Sequence, residues 1–122
     1  MASQHATRVL IVENDELNAM LLQLQLESEG LCVVGVAATV AAAMQMLDDM
    51  QPQLAFLDYW LSHTETSAPI AEALKLRGIP FLVATGMDTS QLPVVFDSGI
   101  KLAKPYTGAD LSQALAQSLA TS

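Results

Sequence analysis

The segment Gln53-Leu54-Ala55-Phe56-Leu57-Asp58-Tyr59-Trp60-Leu61 lies near the middle of the chain and indicates how the rest is arranged. Four apolar residues stand in a row after Pro52 and a glutamine, and a carboxylate follows them. A run this short and this apolar is typical of a strand buried on both faces, as in the centre of a parallel sheet. Functional groups of open parallel sheets gather just outside the carboxyl ends of the strands. Asp58 therefore has the position of a functional residue, although an aspartate that merely caps the strand would have the same position.

Length and composition predict one globular domain over residues 1–122, with a core of about 7–120. Of the 122 residues, 52% are hydrophobic and 15% are charged, which is enough apolar material for a packed core. The net charge of −8 argues against binding nucleic acid through its phosphates. No apolar run reaches the roughly 18–20 residues of a membrane span, and the N-terminus lacks a signal peptide's apolar centre. We therefore expect a cytoplasmic protein with neither nucleic acid nor membrane among its partners.

Cys32 is the single cysteine of the sequence, so the chain has no disulfide framework and a reducing compartment is expected. Because Cys32 stands in an apolar run, we predict that it is a core residue.

Short apolar runs elsewhere predict further strands, and apolar residues at helical spacing predict helices between them. The additional strands are predicted at Arg8–Val12, Leu31–Val36, Ile79–Ala84 and Ile100–Ala103. The helices are predicted from Leu17 to about Gly30, from Thr39 to about Met50, from Ala68 to Arg77, and from a capping box at Thr107–Asp110 onward. Strands and helices alternate with short links, which predicts an α/β fold whose parallel sheet has helices on both faces.

Two segments fit this pattern less simply. In the first helix, Leu17, Met20, Leu21 and Leu24 form a stripe at helical spacing, and further leucines at 22 and 26 widen it beyond one face. That surplus is either a broad core contact, which is preferred, or a docking surface. Residues 87–98 contain Pro93 and a contiguous apolar triplet, so a short, poorly formed helix or an ordered loop is expected there.

The predicted strand ends carry a set of residues with related chemistry. Glu13 and Asn14 follow the first strand, Asp58 the third, Thr85 the fourth and Lys104 the fifth. Two acids and an amide could hold a hard cation such as Mg²⁺. Phosphoryl transfer needs an in-line nucleophile, a metal and donors for the equatorial oxygens. Asp58 could be that nucleophile, and the hydroxyl of Thr85 and the ammonium of Lys104 could be the donors.

These residues make the chain resemble the receiver domain of two-component response regulators over essentially its whole length. Glu13-Asn14 fall at the family's acidic pair, Asp58 at its phosphoacceptor, Thr85 at its switch hydroxyl and Lys104-Pro105 at its lysine–proline pair. The resemblance implies a doubly wound, flavodoxin-like sheet of five parallel strands in the order 2-1-3-4-5. It also implies Mg²⁺ as cofactor, a histidine kinase or phosphotransfer protein as phosphodonor, a downstream protein partner, and a signalling role rather than an enzymatic one.

Within the family, the segment Pro80-Phe81-Leu82-Val83-Ala84-Thr85-Gly86 resembles a subgroup with a Phe-Ala-Thr-Gly signature. Val83 stands in place of the subgroup's phenylalanine, and Met87-Asp88 stand where its aromatic would follow the glycine. The segment Thr66-Ser67-Ala68-Pro69 also matches that subgroup. The resemblance therefore implies a single-domain regulator of the kind found in alphaproteobacteria.

Three positions depart from the family pattern. Asn14 replaces an acid that usually contacts the metal, which leaves an amide oxygen and one charge fewer. Trp60 is bulky for its place two residues after the phosphoacceptor; its backbone carbonyl is expected to reach the metal, and its indole could overhang the pocket. Lys101 stands where most receivers carry the aromatic ring of their switch. Without that ring, phosphorylation is expected to act through order and disorder in residues 87–98, with Leu22 facing the kinase.

Other functions fit less well. A degenerate receiver that binds partners without metal-dependent chemistry is the main alternative, and Asn14 is the residue that separates it from an active receiver. An aspartyl-phosphate hydrolase would carry a second aspartate where Trp60 stands. The chain has no G-x-x-x-x-G-K-[ST] or G-x-G-x-x-G pattern for a nucleotide. His5 and His63 are expected to be solvated surface residues, although His63 could approach the pocket.

Overall fold

Five parallel strands form a single sheet in the order β2-β1-β3-β4-β5. The computed structural model describes residues 6–120. Within them, three α-helices and two short 3-10 turns connect the strands, and a fourth α-helix follows the last strand. The strands are β1 Arg8–Val12, β2 Cys32–Ala37, β3 Leu54–Asp58, β4 Phe81–Thr85 and β5 Ile100–Ala103. The helices are α1 Glu16–Ser28, α2 Val40–Met50, α3 Ala68–Arg77 and α4 Gly108–Ala120, and the 3-10 turns are Thr89–Gln91 and Val94–Ser98. The predicted fold class and strand order are confirmed.

The alternation of side chains along β1 shows how the two faces of the sheet are covered. Leu10 and Val12 belong to a core shared with α2, α3 and the second 3-10 turn, whereas Val9 and Ile11 belong to a core shared with α1 and α4. Successive side chains of a strand point to opposite faces, so an uninterrupted apolar run fills both cores. This arrangement makes β3 a strand buried on both sides, with Asp58 at its carboxyl end.

The helix boundaries follow local sequence signals. Thr107 and Asp110 form the predicted capping box at α4: the Asp110 N–H donates to Thr107 Oγ1 at 3.0 Å, and the Thr107 N–H donates to Asp110 Oδ2 at 3.0 Å. Thr39 caps α2 by accepting the Ala42 N–H at 3.1 Å. Gly78 ends α3 with a φ of 70°, a conformation that suits glycine.

Two predictions about burial are wrong. On α1 the residues that reach the core are Ala19, Leu22 and Leu26, whereas the four at positions 17, 20, 21 and 24 are each more than half exposed. Both sets have helical spacing, so periodicity could not choose between them. The helix packs through the three buried residues and turns the other stripe outward. The preferred prediction that Leu22 and Leu26 contact the core is therefore confirmed, whereas the prediction that Leu22 faces the kinase is wrong because its side chain is buried. Cys32 is exposed because it begins β2, which is an edge strand of the sheet.

Residues 86–99, here called the β4–β5 connection, take the place of a regular crossover helix. The expectation of a poorly formed helix is confirmed by the two 3-10 turns. Leu92 and Phe96 are buried in the core next to α3, so the connection is fastened by two apolar side chains. Gly99 lies so close to the ring of Phe81 that an added Cβ would come within 2.2 Å of it. Glycine is therefore required where the connection enters β5.

Candidate functional site

Asp58 ends the central strand and forms an ion pair there. It pairs in register with Ala84 of β4, and its Oδ1 lies 2.7 Å from Nζ of Lys104, the residue that follows β5. The Asp58 side chain is 13% exposed and that of Lys104 is 36% exposed. The parallel sheet thus brings together two residues that are 46 positions apart in the sequence.

Thr85, at the end of β4, lies between these two strand ends in the sheet. Its carbonyl accepts the Lys104 N–H at 2.8 Å, so the backbone fixes Lys104 next to it. Thr85 is only 3% exposed, and its Oγ1 accepts the Met87 N–H at 3.2 Å. Because that bond uses an oxygen lone pair, the hydroxyl proton of Thr85 remains available for donation.

Glu13 is a buried carboxylate at the end of β1. It is 8% exposed; its own N–H donates to the Ala37 carbonyl at 2.9 Å, and its Oε2 accepts the Asp15 N–H at 3.1 Å. Burial raises the pKa of Glu13 above its ordinary value, and the negative charge of Asp58 adds to that rise. The Asp15 N–H bond and the positive charge of Lys104 lower the pKa but do not cancel the effect of burial. Glu13 and Asp58 are therefore close enough to repel each other, and a cation between them would relieve that repulsion.

Trp60 lies in a short hairpin within residues 59–67, here called the β3–α3 loop. Trp60 and Thr66 form an antiparallel bridge, whose two hydrogen bonds join their neighbours: the Leu61 N–H donates to the Glu65 carbonyl at 2.8 Å, and the Ser67 N–H donates to the Tyr59 carbonyl at 2.9 Å. In such a pair the carbonyl of Trp60 points away from Thr66. The bridge thus leaves the Trp60 carbonyl free for another partner.

Asn14 is exposed and faces the β3–α3 loop. Together with Trp60, Leu61, Ser62 and His63 it lines an open cavity of about 580 Å³. Trp60 is 49% exposed and forms part of the cavity wall. His63 is exposed, as predicted, and lines the same cavity. His5 lies outside the described residues.

The donors at these strand ends fit a magnesium ion. Glu13 and Asp58 offer carboxylate oxygens, Asn14 an amide oxygen and Trp60 a backbone carbonyl, and Mg²⁺ takes oxygen ligands of this kind together with several waters. Within residues 6–120, no three or more His, Cys, Asp and Glu side chains cluster as metal ligands. The third side-chain donor would be the amide of Asn14. It carries no charge, unlike a carboxylate, but it still offers the metal an oxygen.

Two residues outside the predicted site bear on it: Tyr106, which lies close to Glu13 and Asp58, and Glu65, which lies in the β3–α3 loop. Tyr106 packs on Phe56 with ring centroids 6.2 Å apart, and burial raises its pKa, with further contributions from the negative charges of Glu13 and Asp58. Glu65 anchors the β3–α3 loop through a hydrogen bond to the N-terminus of α2. No local pattern distinguishes Glu65 from any other acid in a polar loop, so the sequence could not have revealed it.

Comparison with known proteins agrees with this geometry. The family model of the response regulator receiver domain matches residues 9–116. The solution structure of SdrG from Sphingomonas melonis Fr1 is similar with a TM-score of 0.81 and 39% identity, over 98% of this chain and 99% of SdrG. No curated protein matches the chain. Within residues 6–120, none of the helices has the length and hydrophobicity that a membrane crossing requires.

Two further structures extend the comparison. The PhyR receiver domain of Erythrobacter litoralis is 22% identical with a TM-score of 0.80, over 93% of this chain and 90% of that domain, which shows the shared fold. The anti-anti-sigma factor PhyR from Bartonella quintana is 26% identical with a TM-score of 0.81, over 95% of this chain but only 48% of PhyR. This chain thus spans about half the length of that protein. Since the family model matches most of the sequence and these receiver domains share its topology, the chain belongs to the response regulator receiver domain family.

Proposed function

We propose that this receiver is a phosphoacceptor in two-component signal transduction, in which Asp58 takes a phosphoryl group from a histidine kinase or phosphotransfer protein. The observation that supports this most directly is the 2.7 Å contact between Lys104 Nζ and Asp58 Oδ1. The contact places a cation beside the carboxylate at the carboxyl end of the central strand. Thr85 lies on the strand between them and adds a hydroxyl donor.

The chemistry follows from the groups at the strand ends. Lys104 holds Oδ1 of Asp58, which leaves Oδ2 as the oxygen that attacks phosphorus. A bond forms between Oδ2 and phosphorus, the phosphorus–nitrogen bond of the donor phosphohistidine breaks, and its electron pair remains on the imidazole. Lys104 Nζ and the Thr85 hydroxyl then donate to the phosphoryl oxygens. Glu13, Asn14, Asp58 and the carbonyl of Trp60 would hold Mg²⁺, which would offset the negative charge of the phosphoryl group.

The exposed stripe of α1 is the surface on which we place the phosphodonor. Leu17, Met20, Leu21 and Leu24 are all exposed on this helix, and apolar side chains grouped in this way mark a protein-binding surface. Leu21 also lines a cavity of about 430 Å³ that reaches Glu13, Lys104 and Tyr106. The stripe therefore adjoins the site that a donor must reach. The net charge of −8 favours a donor with a basic rim.

A small-molecule phosphodonor with Mg²⁺ tests the assignment of Asp58. Intact-mass measurement should show one added phosphoryl group on the wild type and none on Asp58→Asn. Asp48→Asn is the matched control, because Asp48 is an exposed aspartate paired with Arg77 on another part of the surface. It should gain the phosphoryl group like the wild type. No mass gain on the wild type, or an equal gain on Asp58→Asn, would contradict the proposal.

Phosphorylation would be transmitted through the β4–β5 connection. The Thr85 hydroxyl oxygen accepts the N–H of Met87, near the start of the connection. If the side chain rotates to bring this oxygen to a phosphoryl group, the oxygen moves away from that N–H and the bond is lost. Lys101, at the position of the usual aromatic, instead pairs with Asp97 at 2.6 Å. The connection is therefore linked directly both to Thr85 and to β5.

Hydrogen exchange with and without beryllofluoride, a phosphoryl mimic, tests this route. Exchange should change across residues 87–98 as well as around Asp58. A change confined to Asp58 and its adjoining loop would contradict the route and favour a receiver that only stores phosphate.

A phosphorylation-independent binding module is the second candidate, and Asn14 favours it. The exposed amide of Asn14 lies in the cavity with Trp60 and His63, and it carries one charge fewer than the usual acid. If this candidate is correct, Mg²⁺ will not change the fluorescence of Trp60, the single tryptophan of the chain, at millimolar concentrations. A saturable change would favour the phosphoacceptor.

A further inference from the structure

Glu65 joins the β3–α3 loop to the N-terminus of α2. Its Oε1 accepts the N–H of Val40, the first residue of α2, at 3.2 Å. Its backbone carbonyl accepts two further N–H groups, from Leu61 at 2.8 Å and from Ser62 at 3.2 Å. One residue thus holds the tip of the hairpin through its backbone and fastens it to α2 through its side chain.

The N-terminus of α2 is well suited to receive this carboxylate. Thr39 already accepts the Ala42 N–H, which leaves the Val40 N–H in need of another acceptor. The first turn of α2 has no acidic residue in its own sequence. Glu65 supplies the negative charge that a helix N-terminus favours, and it does so from a distant part of the chain. Its side chain is half-buried, which shields this interaction from solvent better than a fully exposed one.

The hairpin that Glu65 fastens carries the backbone of Trp60. The bridge to Thr66 uses the Leu61 N–H and the Glu65 carbonyl, so the orientation of the Trp60 carbonyl depends on where Glu65 lies. Leu61 is buried and fixes one side of the hairpin in the core. Glu65 fixes the other side against α2. Together they leave little freedom for the intervening carbonyl.

We infer that Glu65 is a positioning residue for the phosphorylation site, which holds the Trp60 carbonyl where the metal ion binds by fastening the β3–α3 loop to α2. This inference rests on the proposed function. Partners that orient a ligand without touching the metal typically change metal affinity by about ten-fold or more when they are removed. Glu65 would act in this way on a backbone ligand rather than on a side chain.

Three variants separate positioning from a purely structural role. Glu65→Ala removes the acceptor of the Val40 N–H, whereas Glu65→Gln keeps an oxygen at the same place. Thr39→Ala is the matched control, because it removes the other hydrogen bond to the first turn of α2 and leaves the loop untouched. Two readouts are compared with thermal unfolding: the Mg²⁺ affinity from Trp60 fluorescence, and the exchange rates of the Leu61 and Ser62 amides without metal.

We expect Glu65→Ala to weaken Mg²⁺ binding by about ten-fold and to speed the exchange of the Leu61 and Ser62 amides. Glu65→Gln should recover most of the affinity. Thr39→Ala should lower the melting temperature while keeping the affinity and the exchange rates of the wild type. Wild-type affinity and exchange in Glu65→Ala, or an equal loss of affinity in Thr39→Ala, would overturn the inference.

The same measurements distinguish failure of this inference from failure of the proposed function. If the wild type binds no Mg²⁺ and gains no phosphoryl group, the proposed function is wrong. The amide exchange rates of Glu65→Ala then still decide whether Glu65 holds the loop, since they are measured without metal. If the wild type is phosphorylated and Glu65→Ala binds Mg²⁺ as tightly, only the positioning role is wrong.

Discussion

The two connections that leave the sheet beside the site are built in different ways. The β3–α3 loop is a hairpin whose backbone is hydrogen-bonded to itself and whose Glu65 is bonded to α2. The β4–β5 connection contains two 3-10 turns, and its attachments include the buried side chains of Leu92 and Phe96, an ion pair from Asp97 and the hydrogen bond from Met87 to Thr85. Both segments contain buried side chains and backbone hydrogen bonds. The bonds of the first run across the hairpin and hold the backbone around Trp60, whereas those of the second are local to each 3-10 turn and leave the packing of Leu92 and Phe96 as its main attachment to the core.

Because of this difference, the β3–α3 loop and the β4–β5 connection are suited to different roles at the site. Hydrogen bonds fix a backbone carbonyl within narrow limits, which suits a loop that offers a metal ligand. Apolar side chains in a short segment can leave the core together, which suits an element that changes between two arrangements. We therefore expect the β3–α3 loop to help bind the metal ion and the β4–β5 connection to change its arrangement on phosphorylation.

The largest expected effect comes from removing the main attachment of the β4–β5 connection. Phe96 is fully buried and its ring lies 5.4 Å from that of Tyr59 and 6.3 Å from that of Phe81, between centroids. Phe96→Ala should lower the free energy of unfolding by about 3–5 kcal/mol, measured by urea denaturation. Val94→Ala is the control, because Val94 lies in the same 3-10 turn but is exposed. A small, equal loss in both variants would mean that packing does not hold this connection.

The second-largest expected effect is on Mg²⁺ affinity, and it comes from the charge that Asn14 lacks. Asn14→Asp should strengthen Mg²⁺ binding by about 1–2 kcal/mol, or roughly ten-fold, because it restores a negative charge beside a divalent ion. Titration followed by Trp60 fluorescence gives the affinity. Gln45→Glu adds the same charge on the exposed surface of α2 and should change the affinity much less. Unchanged affinity in Asn14→Asp would show that Asn14 does not ligate the metal.

The buried Glu13 should make the unfolding free energy of the protein depend on pH. Burial raises its pKa in the folded state above the ordinary value of 4.5, so the folded protein retains this proton at a pH where the unfolded chain has lost it. The stabilisation that comes from the protonated Glu13 is complete below pH 4.5 and is lost as the pH rises through the pKa of the folded state. We expect Glu13→Gln to flatten this part of the stability profile, and Mg²⁺ to restore stability to the wild type at neutral pH.

Chemical denaturation at a series of pH values from 4.5 to neutrality measures that slope. Glu72→Gln, which neutralises an exposed carboxylate on α3, is the control and should keep the wild-type profile. If Glu13→Gln has the same profile as the wild type, the buried carboxylate does not control the pH dependence.

The smallest expected effect concerns the ion pair of the β4–β5 connection. Lys101 Nζ lies 2.6 Å from Asp97 Oδ1, and the Asp97 side chain is more than half exposed. Lys101→Met should therefore cost no more than about 1 kcal/mol of unfolding free energy, because surface pairs are screened by solvent. Asp48→Ala breaks a comparable exposed pair with Arg77 and serves as the reference. A loss in Lys101→Met as large as that in Phe96→Ala would show that charge, and not packing, fastens this connection.

The sequence by itself determined the strands, their parallel arrangement and the residues at their carboxyl ends. Apolar runs that are uninterrupted, as in β3, can be buried only between two layers, and this alone predicts helices on both faces. Asp58, Thr85 and Lys104 could then be located because each directly follows such a run. The contact of Lys104 with Asp58 agrees with that prediction.

Only the tertiary structure decided which face of α1 is buried, whether Cys32 is covered, and what holds the β3–α3 loop. Leu17 and Leu22 belong to stripes with the same helical period, so the choice between them depended on how α1 fits against β1 and α4. Cys32 begins the edge strand β2, and although the resemblance implied that strand order, no local pattern shows whether a residue at the edge is covered. Glu65 reaches Val40 across 25 positions, and a hydrogen bond between distant residues exists only once the chain has folded.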